Sequence, residues 1–486
     1  MNMITHFNDL VTKNFNNYLK KYFNSIDYTD KNSNFINYYN FINDLDSFND
    51  SFMKDVIKCY FEYIDECFFN SYYRKKYCKS NGFYERKNYV TLFGEISFKR
   101  RYYYDNNTNE HFFFTDLFFG LPKRKHFDPF VCAELCDQST TESYSKAGKI
   151  IANKIGKRIN NNIDISRATA RNIVISFDPE PDEEYELKRV EKLFVMLDEK
   201  FIGSQFNDGK DFMTKAAVVF EGAIPEYKYK KTDKSKNRYK LINPFACASI
   251  DNELLDDTIN YIYNHYDTDY IKEINFMGDC AAWIKTFPNS YWFKFNSETI
   301  VRFAMDNFHF KQALIQLTTK KYQEINDALL EYINKNNKKD FNMLVEQFKD
   351  LNPLRIDTIE SKQNYILNNW KERQTYLENP YIKCSMESHI SHILADLFTA
   401  RPKAYSEKGL RKLLKLRMLK VNKFNIKELY LKQLINPPTK KKINLLKINA
   451  NKIIFPTDTK TNKYLNNFYT TGLDPFDYVQ KETSYL

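Results

Sequence analysis

Residues 271–309 have the sequence IKEINFMGDCAAWIKTFPNSYWFKFNSETIVRFAMDNFH. The stretch begins with a short apolar run that predicts a buried strand and that stops at Gly278 and Asp279. The small-residue segment 280–285 follows and predicts the start of a helix. A carboxylate just past the end of a buried strand lies at the edge of the sheet where α/β folds bind ligands and metals. The stretch therefore predicts an α/β fold with Asp279 at its functional edge.

The second apolar run of this stretch, residues 299–305, ends in the same way at Asp306. Asp306 opens the motif Asp306-x-x-His309, which begins another helical segment. A simpler interpretation of Asp279 and Asp306 is helix N-capping, a role in which Asp is strongly preferred. A catalytic role requires further carboxylates that arrive at the same place.

Length and composition indicate a folded protein. The 486 residues are enough for several domains with at least one large core, and 43% of them are hydrophobic. No uninterrupted apolar run approaches the roughly 18 residues of a membrane span. The N-terminus, MNMITHFNDL, lacks the apolar segment of a signal peptide, and the eight cysteines form no CxxC pair. We therefore expect a cytoplasmic protein with no membrane partner.

The positive charge is concentrated near the C-terminus. Residues 401–450 contain fifteen Lys or Arg and two acidic residues, a surplus of +13, whereas the whole chain carries +11. A concentrated basic surface suits a polyanion, of which DNA and RNA are the commonest in the cytoplasm. We expect Arg401, at the start of this segment, to contact DNA. The alternative is a solvated helix face that keeps the protein in solution.

Two modules are predicted at the start of the chain. Residues 1–85 have apolar and aromatic side chains at helical spacing, which predicts an N-terminal helical module for packing or dimerisation. In residues 86–120, Ile96 and Phe98 alternate with polar residues after a turn at Gly94, which predicts a β-hairpin segment.

Residues 121–180 predict three helices. Pro129 fits the first turn of the first helix, and Ser166 begins the third. The third helix carries Arg167 and Arg171 on one face, so we interpret the segment as a helix-turn-helix-like module in which both arginines contact DNA. A plain helical bundle is the alternative, because the link before the third helix is longer than a tight turn.

An acidic, Pro-containing hinge at residues 178–191 marks a domain boundary. Residues 190–309 then contain three strand-like runs (193–205, 212–221 and 239–250), a helix over 254–265 and the two strands of the opening stretch. Three sequential strands followed by strands that alternate with helices are the element order of an RNase H-like mixed sheet. The first strand of that fold carries an acidic residue near its middle, and Asp198 occupies this position.

The C-terminal half divides into three predicted segments. Residues 310–380 have helical spacing throughout and predict an all-α insertion in the core. Residues 381–420 resume the RNase H-like core, with a helix that carries Glu387. Residues 421–486 form a basic C-terminal tail.

Three carboxylates on three elements can hold two metal ions. Asp198 lies on the first strand, Asp279 follows the fourth strand, and Glu387 lies on a late helix. Carboxylate oxygens are the hard ligands that Mg²⁺ prefers, and Mn²⁺ is the natural substitute. One ion would activate water or a 3′-hydroxyl, and the other would stabilise the leaving oxygen of a phosphodiester.

Zinc is the alternative metal. Its candidate ligands are Cys384, His389 and His392, with Cys280 or His309 as further donors. The residue types are suitable, but no pair has the spacing of a zinc finger. A different role for two of these histidines is to flank Glu387, where His389 would contact a DNA phosphate.

Several motifs together resemble the DDE transposases of the ISLre-type bacterial insertion sequences, which are relatives of the Mutator-like transposases. The matching segments are TLFGEISFKRRYYYD at 91–105, SYSKA at 143–147, MLDEKFIGSQ at 196–205, GDCAAWIK at 278–285, DNFH at 306–309 and ESHISHILADLFTARP at 387–402. They occur in the expected order across roughly residues 86–420.

The resemblance implies an RNase H-like core with an α-helical insertion before the glutamate. It also implies that Asp198, Asp279 and Glu387 are the metal-binding catalytic residues. Asp306-x-x-His309 is similar to a motif of the Mutator group, so Asp306 and His309 are expected to contact terminal or target DNA; the alternative for His309 is a hydrogen bond in the core. The chain departs from the pattern at Cys280 and Ser388, where we expect Gly, and at Tyr405, where we expect Trp.

The sequence therefore predicts a transposase that binds double-stranded DNA at terminal inverted repeats and at the target. It would cut and join strands with two Mg²⁺ ions and act as a homo-oligomer on DNA. One alternative is a non-catalytic DNA-binding regulator derived from a transposase. The other is an RNase H-fold nuclease that is selective for branched DNA.

Overall fold

The computed structural model describes residues 31–121, 125–156, 163–179, 181, 186–206, 210–225, 239–251, 253–296, 298–379, 381, 385–401 and 403–435, and residues 5, 8, 9, 12, 13, 15–18, 20 and 29 before them. Within these ranges, the side chains of residues 31–37, 43, 46, 47, 156, 225, 387 and 388 are not described.

The helices and strands are numbered in chain order. The helices are α1 (Lys31–Asn70), α2 (Tyr72–Tyr77), α3 (Phe114–Phe118), α4 (Pro129–Ser139), α5 (Tyr144–Gly156), α6 (Arg167–Ser176), α7 (Glu253–His265), α8 (Ala282–Thr286), α9 (Asn307–Thr318), α10 (Gln323–Asn334), α11 (Lys338–Asp350), α12 (Ile356–Asn368), α13 (Trp370–Glu378), α14 (Met386–Ile390), α15 (Asp396–Phe398), α16 (Glu407–Val421) and α17 (Ile426–Ile435). The strands are β1 (Cys78–Thr91), β2 (Gly94–Asp105), β3 (Glu110–Phe113), β4 (Lys192–Ser204), β5 (Phe212–Phe220), β6 (Gly222–Pro225), β7 (Tyr239–Ile242), β8 (Phe245–Ser249), β9 (Glu273–Gly278), β10 (Ile300–Met305) and β11 (Ala404–Tyr405).

The chain divides into two compact units. The first comprises the residues up to Pro179 together with those from Ile426 onward, and the second comprises Glu180–Asn425. The break after Pro179 lies within the hinge predicted at residues 178–191.

The first unit contains a three-stranded antiparallel sheet of order β1-β2-β3. Strands β1 and β2 form the predicted hairpin, with Thr91 paired to Gly94 at the turn. One face of the sheet packs on α1, where Tyr103 and Phe112 surround the fully buried ring of Phe68. The buried aromatic rings thus fasten the sheet to the long helix.

The helices of the first unit form a separate bundle. Asp128 caps α4 at the phenylalanine after Pro129, and Ser166 caps α6, as the sequence predicts. Helices α4, α5 and α6 pack against one another, and α17 from the far end of the unit packs on α4. The amine of Lys427 on α17 lies 2.5 Å from a carboxylate oxygen of Glu134 on α4.

The second unit is a mixed α/β domain. Its main sheet has the order β10-β9-β4-β5-β8, and the short β11 pairs with β4. Strands β4, β9 and β10 are parallel to one another, whereas β5 is antiparallel to β4 and to β8. The alternation of strands and helices after β8 confirms the α/β class predicted from residues 271–309.

Strand β4 lies in the middle of this sheet and is apolar on both faces, as expected for a strand covered on both sides. Leu193, Val195 and Leu197 are fully buried on one face, against Ile262 of α7 and Ile284 of α8. On the other face, Met196 accepts a hydrogen bond of 3.2 Å from the backbone N–H of Ser385, and α14 packs on β4.

The third predicted strand, residues 239–250, is divided in two. Its first half is β7, which pairs with β6 in a separate ribbon, and its second half is β8 in the main sheet. The break occurs at Asn243, which has a φ of 47°, and Pro244 follows it. Both residues favour a turn, which the apolar pattern alone did not indicate.

Within residues 310–379 the chain is mostly helical, as predicted, and α9–α13 form a core of their own. Its buried members include Phe310, Phe341 and Trp370. Cys280, next to Asp279, belongs to the same cluster, so the insertion packs directly beneath the loop at the end of β9.

The outer edge of β8 is paired with a side chain. The amide of Asn422 donates to the carbonyl of Ala246 at 2.9 Å and accepts from its N–H at 2.7 Å. Within the described part of the chain, no helix is long and apolar enough to cross a bilayer.

Candidate active site

Three adjacent parallel strands bring an aspartate each to the same level, at which β9 and β10 end and β4 continues to Ser204. Met196 of β4 pairs with Met277 of β9, and Met277 pairs with Ala304 of β10. Continued by two residues, this register sets Asp198 beside Asp279 and Asp279 beside Asp306. Neighbouring strands lie about 4.8 Å apart. The sheet thus brings three carboxylates to one edge, although they are far apart in sequence.

Asp198 is 7% exposed on β4. Its Oδ1 accepts a hydrogen bond of 2.7 Å from the backbone N–H of Glu199. Because side chains alternate along a strand, Asp198 is on the same face of β4 as Met196, which contacts Ser385 just before α14. The face that carries Asp198 is therefore the face on which the helix with Glu387 packs.

Asp279 lies in a tight loop after β9. A Cβ atom on Gly278 would lie 2.9 Å from the carbonyl oxygen of Leu197 and 2.7 Å from a methyl of Ile284, so this position requires glycine. Oδ1 of Asp279 accepts from the N–H of Ala281 at 2.9 Å, and Ala281 rather than Asp279 is the N-cap of α8. The capping interpretation is therefore wrong for Asp279.

The insertion holds the same loop. The hydroxyl of Tyr365 on α12 donates a 2.6 Å hydrogen bond to the carbonyl oxygen of Asp279. Tyr365 was not predicted from the sequence, because nothing in a helical pattern distinguishes one tyrosine that reaches back to a loop. On the other side, the indole N–H of Trp283 donates to Glu199, the residue after Asp198.

Asp306 does cap a helix, as the simpler interpretation predicts. Its carboxylate accepts from the N–H groups of Phe308 and His309 at the start of α9. The same carboxylate lies 2.7 Å from Nδ1 of His309. This hydrogen bond raises the pKa of His309, burial of the ring opposes the rise, and the charges of Asp306, Asp279 and Asp198 add to it. All three carboxylates therefore raise the pKa of this imidazole.

Glu387 belongs to α14, and its side chain lies outside the described residues. Helix α14 continues without interruption into a π-helical turn, Ser391–Ala395, and then into α15. Such π turns inside α-helices frequently occur at functional sites. The helix that carries Glu387 is thus locally irregular just beyond it.

This arrangement can attract cations and accept protons. Among the side chains that the structure describes, no three of His, Cys, Asp and Glu are grouped so as to hold a metal ion. The side chain of Glu387 is not among those described. The carboxylate of Asp306 already accepts hydrogen bonds from the N-terminus of α9 and from His309.

Comparison with known proteins identifies the family. The sequence model of an uncharacterised protein family, UPF0236, matches residues 31–433. The chain belongs to this family.

Its UPF0236 relatives include several proteins of Caldanaerobacter subterraneus subsp. tengcongensis. UPF0236 protein TTE2489 is 26% identical over 400 residues, which cover 79% of this chain and 78% of the relative. UPF0236 protein TTE0402 is 25% identical over 398 residues, which cover 79% and 74%. A third relative, 26% identical over 401 residues, has a name that joins eleven designations, from TTE0033 to TTE2212. None of these names states an activity.

The other predicted DNA contacts of this UPF0236 chain lie on several elements. Arg167 is exposed and Arg171 is half-buried on α6 in the first unit, and the charges of both oppose the rise in the pKa of Tyr144 that burial causes. Arg401 is exposed between α15 and β11 in the second unit.

The predicted zinc ligands are only partly described. Cys384 lies outside the described residues. His389 is half-buried, and burial lowers its pKa, with a smaller effect of His392. His392 is exposed, and its Nδ1 lies 3.5 Å from Asp396. Burial raises the pKa of the Cys280 thiol, which keeps this sulfur protonated and a poor metal ligand.

Proposed function

We propose that this UPF0236 protein is a DNA transposase of the DDE type, which cuts and joins DNA strands at the ends of an insertion sequence in the cytoplasm. The observation that carries the proposal is the common level of Asp198, Asp279 and Asp306 on three adjacent parallel strands. The helix of Glu387 packs on the Asp198 face of the same sheet. Three sequential strands, followed by strands that alternate with helices, support an RNase H-like core.

The donor chemistry fits divalent magnesium or manganese. Asp198, Asp279 and Glu387 would hold two such ions, since carboxylate oxygens are the ligands these cations prefer. The bound ions would supply an activated water or 3′-hydroxyl and stabilise the leaving oxygen of the phosphodiester. The charges of Asp306, Asp279 and Asp198 all raise the pKa of His309, as expected of a negative site that a cation would neutralise.

The residues of the chain have separate parts in this proposal. The backbone N–H of Glu199 orients Asp198, and the hydroxyl of Tyr365 fixes the loop of Asp279. His309 keeps a proton on its ring more readily than an ordinary histidine because of Asp306. A protonated imidazole attracts a phosphate, so His309 would position the DNA strand beside the carboxylates.

The relatives offer separate support. A single name that joins eleven designations in one organism is what eleven copies of one gene would produce. Another relative has a name that joins four designations in the same organism. Repeated copies within a genome are expected of a mobile element and not of an ordinary regulator.

Cleavage of DNA tests the proposal. The substrate is a duplex that carries the natural flanks of this reading frame, incubated with the full-length protein and Mg²⁺. Asp198→Asn, Asp279→Asn and Glu387→Gln should each lower the cleavage rate about a thousandfold or more, which corresponds to ~4 kcal/mol of lost transition-state stabilisation. Binding of the duplex should persist, because phosphate contacts provide most of the affinity.

The matched control is Asp269→Asn. Asp269 is an exposed aspartate on the 3₁₀ turn before β9, whereas Asp279 follows the end of the same strand. The control should cut at the wild-type rate. Wild-type cleavage by any of the three site variants contradicts the proposal. Duplex binding without cleavage would indicate a regulator, and cleavage of branched DNA without a terminal repeat would indicate a nuclease.

A further inference from the structure

The sheet of the first unit has two unlike faces. Its inner face packs on α1 through Tyr103 and Phe112. Its outer face carries Tyr84, Tyr102, Tyr104, His111 and Phe113, and we call this group the aromatic face. The outer face of an antiparallel sheet is ordinarily polar, so a continuous aromatic surface there needs an explanation.

Strand register sets these rings side by side. Tyr102 pairs with Phe113, and Tyr104 pairs with His111, across β2 and β3. Tyr84 of β1 packs edge-on against Tyr102 at 5.5 Å and against Phe113 at 5.8 Å between ring centroids. His111 stacks on Tyr102 at 5.0 Å. The rings support one another, so the surface is rigid before any ligand binds.

The aromatic face is open to solvent. Tyr84 is 49% exposed and His111 is also exposed, whereas Tyr102, Tyr104 and Phe113 are half-buried by their neighbours. Because these rings are partly exposed, flat aromatic groups of a ligand can stack on them without rearrangement of the sheet.

Positive charge surrounds the rings. Lys79 is exposed and pairs with Tyr104 in the register of β1 and β2, so it is on the same face. The guanidinium of Arg100 lies 3.8 Å from the centroid of the Phe113 ring, but its charge is paired with Asp116, so the exposed lysines provide the cations for a phosphate. Residues 72–105 contain nine Lys or Arg against three acidic residues. Stacking rings with cations beside them are the chemistry of single-strand recognition, in which bases stack and phosphates meet cations.

We propose that the aromatic face binds single-stranded DNA by stacking on unpaired bases. A duplex keeps its bases stacked on each other, so this surface selects strands that have been opened. The inference goes beyond the proposed catalysis because it needs neither the carboxylates nor a metal. An aliphatic partner could not stack on the aromatic rings. A basic protein would be repelled by the positive charge of the surrounding lysines.

Fluorescence anisotropy tests the proposal. The probe is a labelled single strand of about 12 nucleotides, which suits a single small binding surface. It is titrated with the full-length protein in EDTA, so that no divalent-dependent cutting occurs. Tyr84→Ala combined with Tyr102→Ala should weaken binding about tenfold or more, because each stacked base is worth roughly that factor. Tyr84→Phe combined with Tyr102→Phe should keep the wild-type affinity, since the rings remain.

The matched control replaces exposed rings of the second unit. Tyr291 and Trp292 are 77% and 57% exposed, and their double alanine variant should bind the probe within twofold of wild type. Asp279→Asn should also bind normally, which separates this proposal from the catalytic one. Unchanged binding by the Tyr84/Tyr102 alanine variant, or a preference for single-stranded RNA, overturns the proposal. A wild-type dimer that becomes a monomer in that variant, with no loss of DNA binding, would identify a self-association surface instead.

Discussion

The pKa of His309 reports on three carboxylates at once, those of Asp306, Asp279 and Asp198. Its Nδ1 lies 2.7 Å from Asp306, and the charges of Asp279 and Asp198 act on the same ring. All three influences favour the protonated imidazole, and burial alone opposes them. The ring is therefore a natural probe of the site that needs no substrate.

We expect Asp306→Asn to lower the pKa of His309, because the variant removes the largest favourable interaction and one of the three charges. NMR titration of the imidazole signals over about pH 5 to 8 measures this change. The conservative control is Asp269→Asn, which should leave the His309 titration unchanged.

The raised pKa of His309 also determines how its contribution to the free energy of unfolding changes with pH. The folded-state pKa of His309 is raised above its ordinary value, so its contribution is complete below the unfolded pKa and is lost as pH rises through the folded pKa. The difference in unfolding free energy between wild type and His309→Asn should therefore shrink as pH rises. A difference that grows with pH would contradict the electrostatic account.

Cys280 shows what sequence comparison could and could not anticipate at this scale. The resemblance predicts glycine at this position, and the structure supplies the reason, because Cys280 has a φ of 70°. A left-handed backbone costs a non-glycine residue about 1 kcal/mol or more. The apolar pattern of residues 271–309 located the loop, but a backbone angle leaves no trace in such a pattern.

At the scale of the elements, one hydrogen bond from the helical segment 310–379 directly holds the Asp279 loop of the candidate site. Tyr365 of α12 lies 86 residues after Asp279 in sequence, yet its hydroxyl donates a hydrogen bond to the Asp279 carbonyl. The helical segment thus supports the Asp279 loop and also forms a core of its own.

We expect Tyr365→Phe to lower the free energy of unfolding by about 1 kcal/mol and to slow cleavage several-fold, since the loop of Asp279 loses one buried hydrogen bond. Urea unfolding and the cleavage assay measure the two effects. Tyr322→Phe is the matched control, because Tyr322 contributes its ring to the same insertion by packing on Phe348. Equal losses in the two variants would show that the hydroxyl of Tyr365 has no special role.

Most elements of the second unit were predictable because their signals are local. Apolar runs marked β4, β5, β9 and β10, and helical spacing marked residues 310–380. The division of residues 239–250 was missed, since it depends on Asn243 and Pro244 and on the pairing of β7 with β6. Long-range pairing of this kind is decided by the rest of the sheet.

At the scale of the molecule, the first unit is built from both ends of the chain. The ring of Tyr430 on α17 packs edge-on against Phe177 at 5.0 Å, and the side chain of Gln433 accepts from the backbone N–H of Asp178. The predicted C-terminal tail, residues 421–486, therefore begins with a helix that belongs to a folded unit. Residues 436–486 lie outside the described residues.

We expect Tyr430→Ala to destabilise the first unit by about 2 kcal/mol or more, because a packed aromatic ring leaves a cavity. Hydrogen exchange should accelerate in α4 and α6 and stay unchanged in β4 and β5. Tyr266→Ala, in the core of the second unit, should produce the reverse pattern. Faster exchange throughout the chain in both variants would mean that the two units unfold together.

The candidate site was predicted in part. Asp198 and Asp279 could be found because each follows or interrupts a strong apolar run. Asp306 was expected to contact DNA, whereas the structure aligns it with the other two aspartates and occupies it with His309. The alignment could not be foreseen, because the common level of the three aspartates follows from sheet register and not from spacing along the chain.

The pairing of Asn422 with Ala246 bears on how copies of this protein can associate. An unprotected border strand invites pairing with a neighbouring chain, and uncontrolled growth of that kind ends in aggregation. Here one side-chain amide satisfies both the backbone N–H and the backbone carbonyl of Ala246. A second molecule would have to displace that amide before it could extend the sheet at Ala246, so Asn422 disfavours strand pairing between copies along β8.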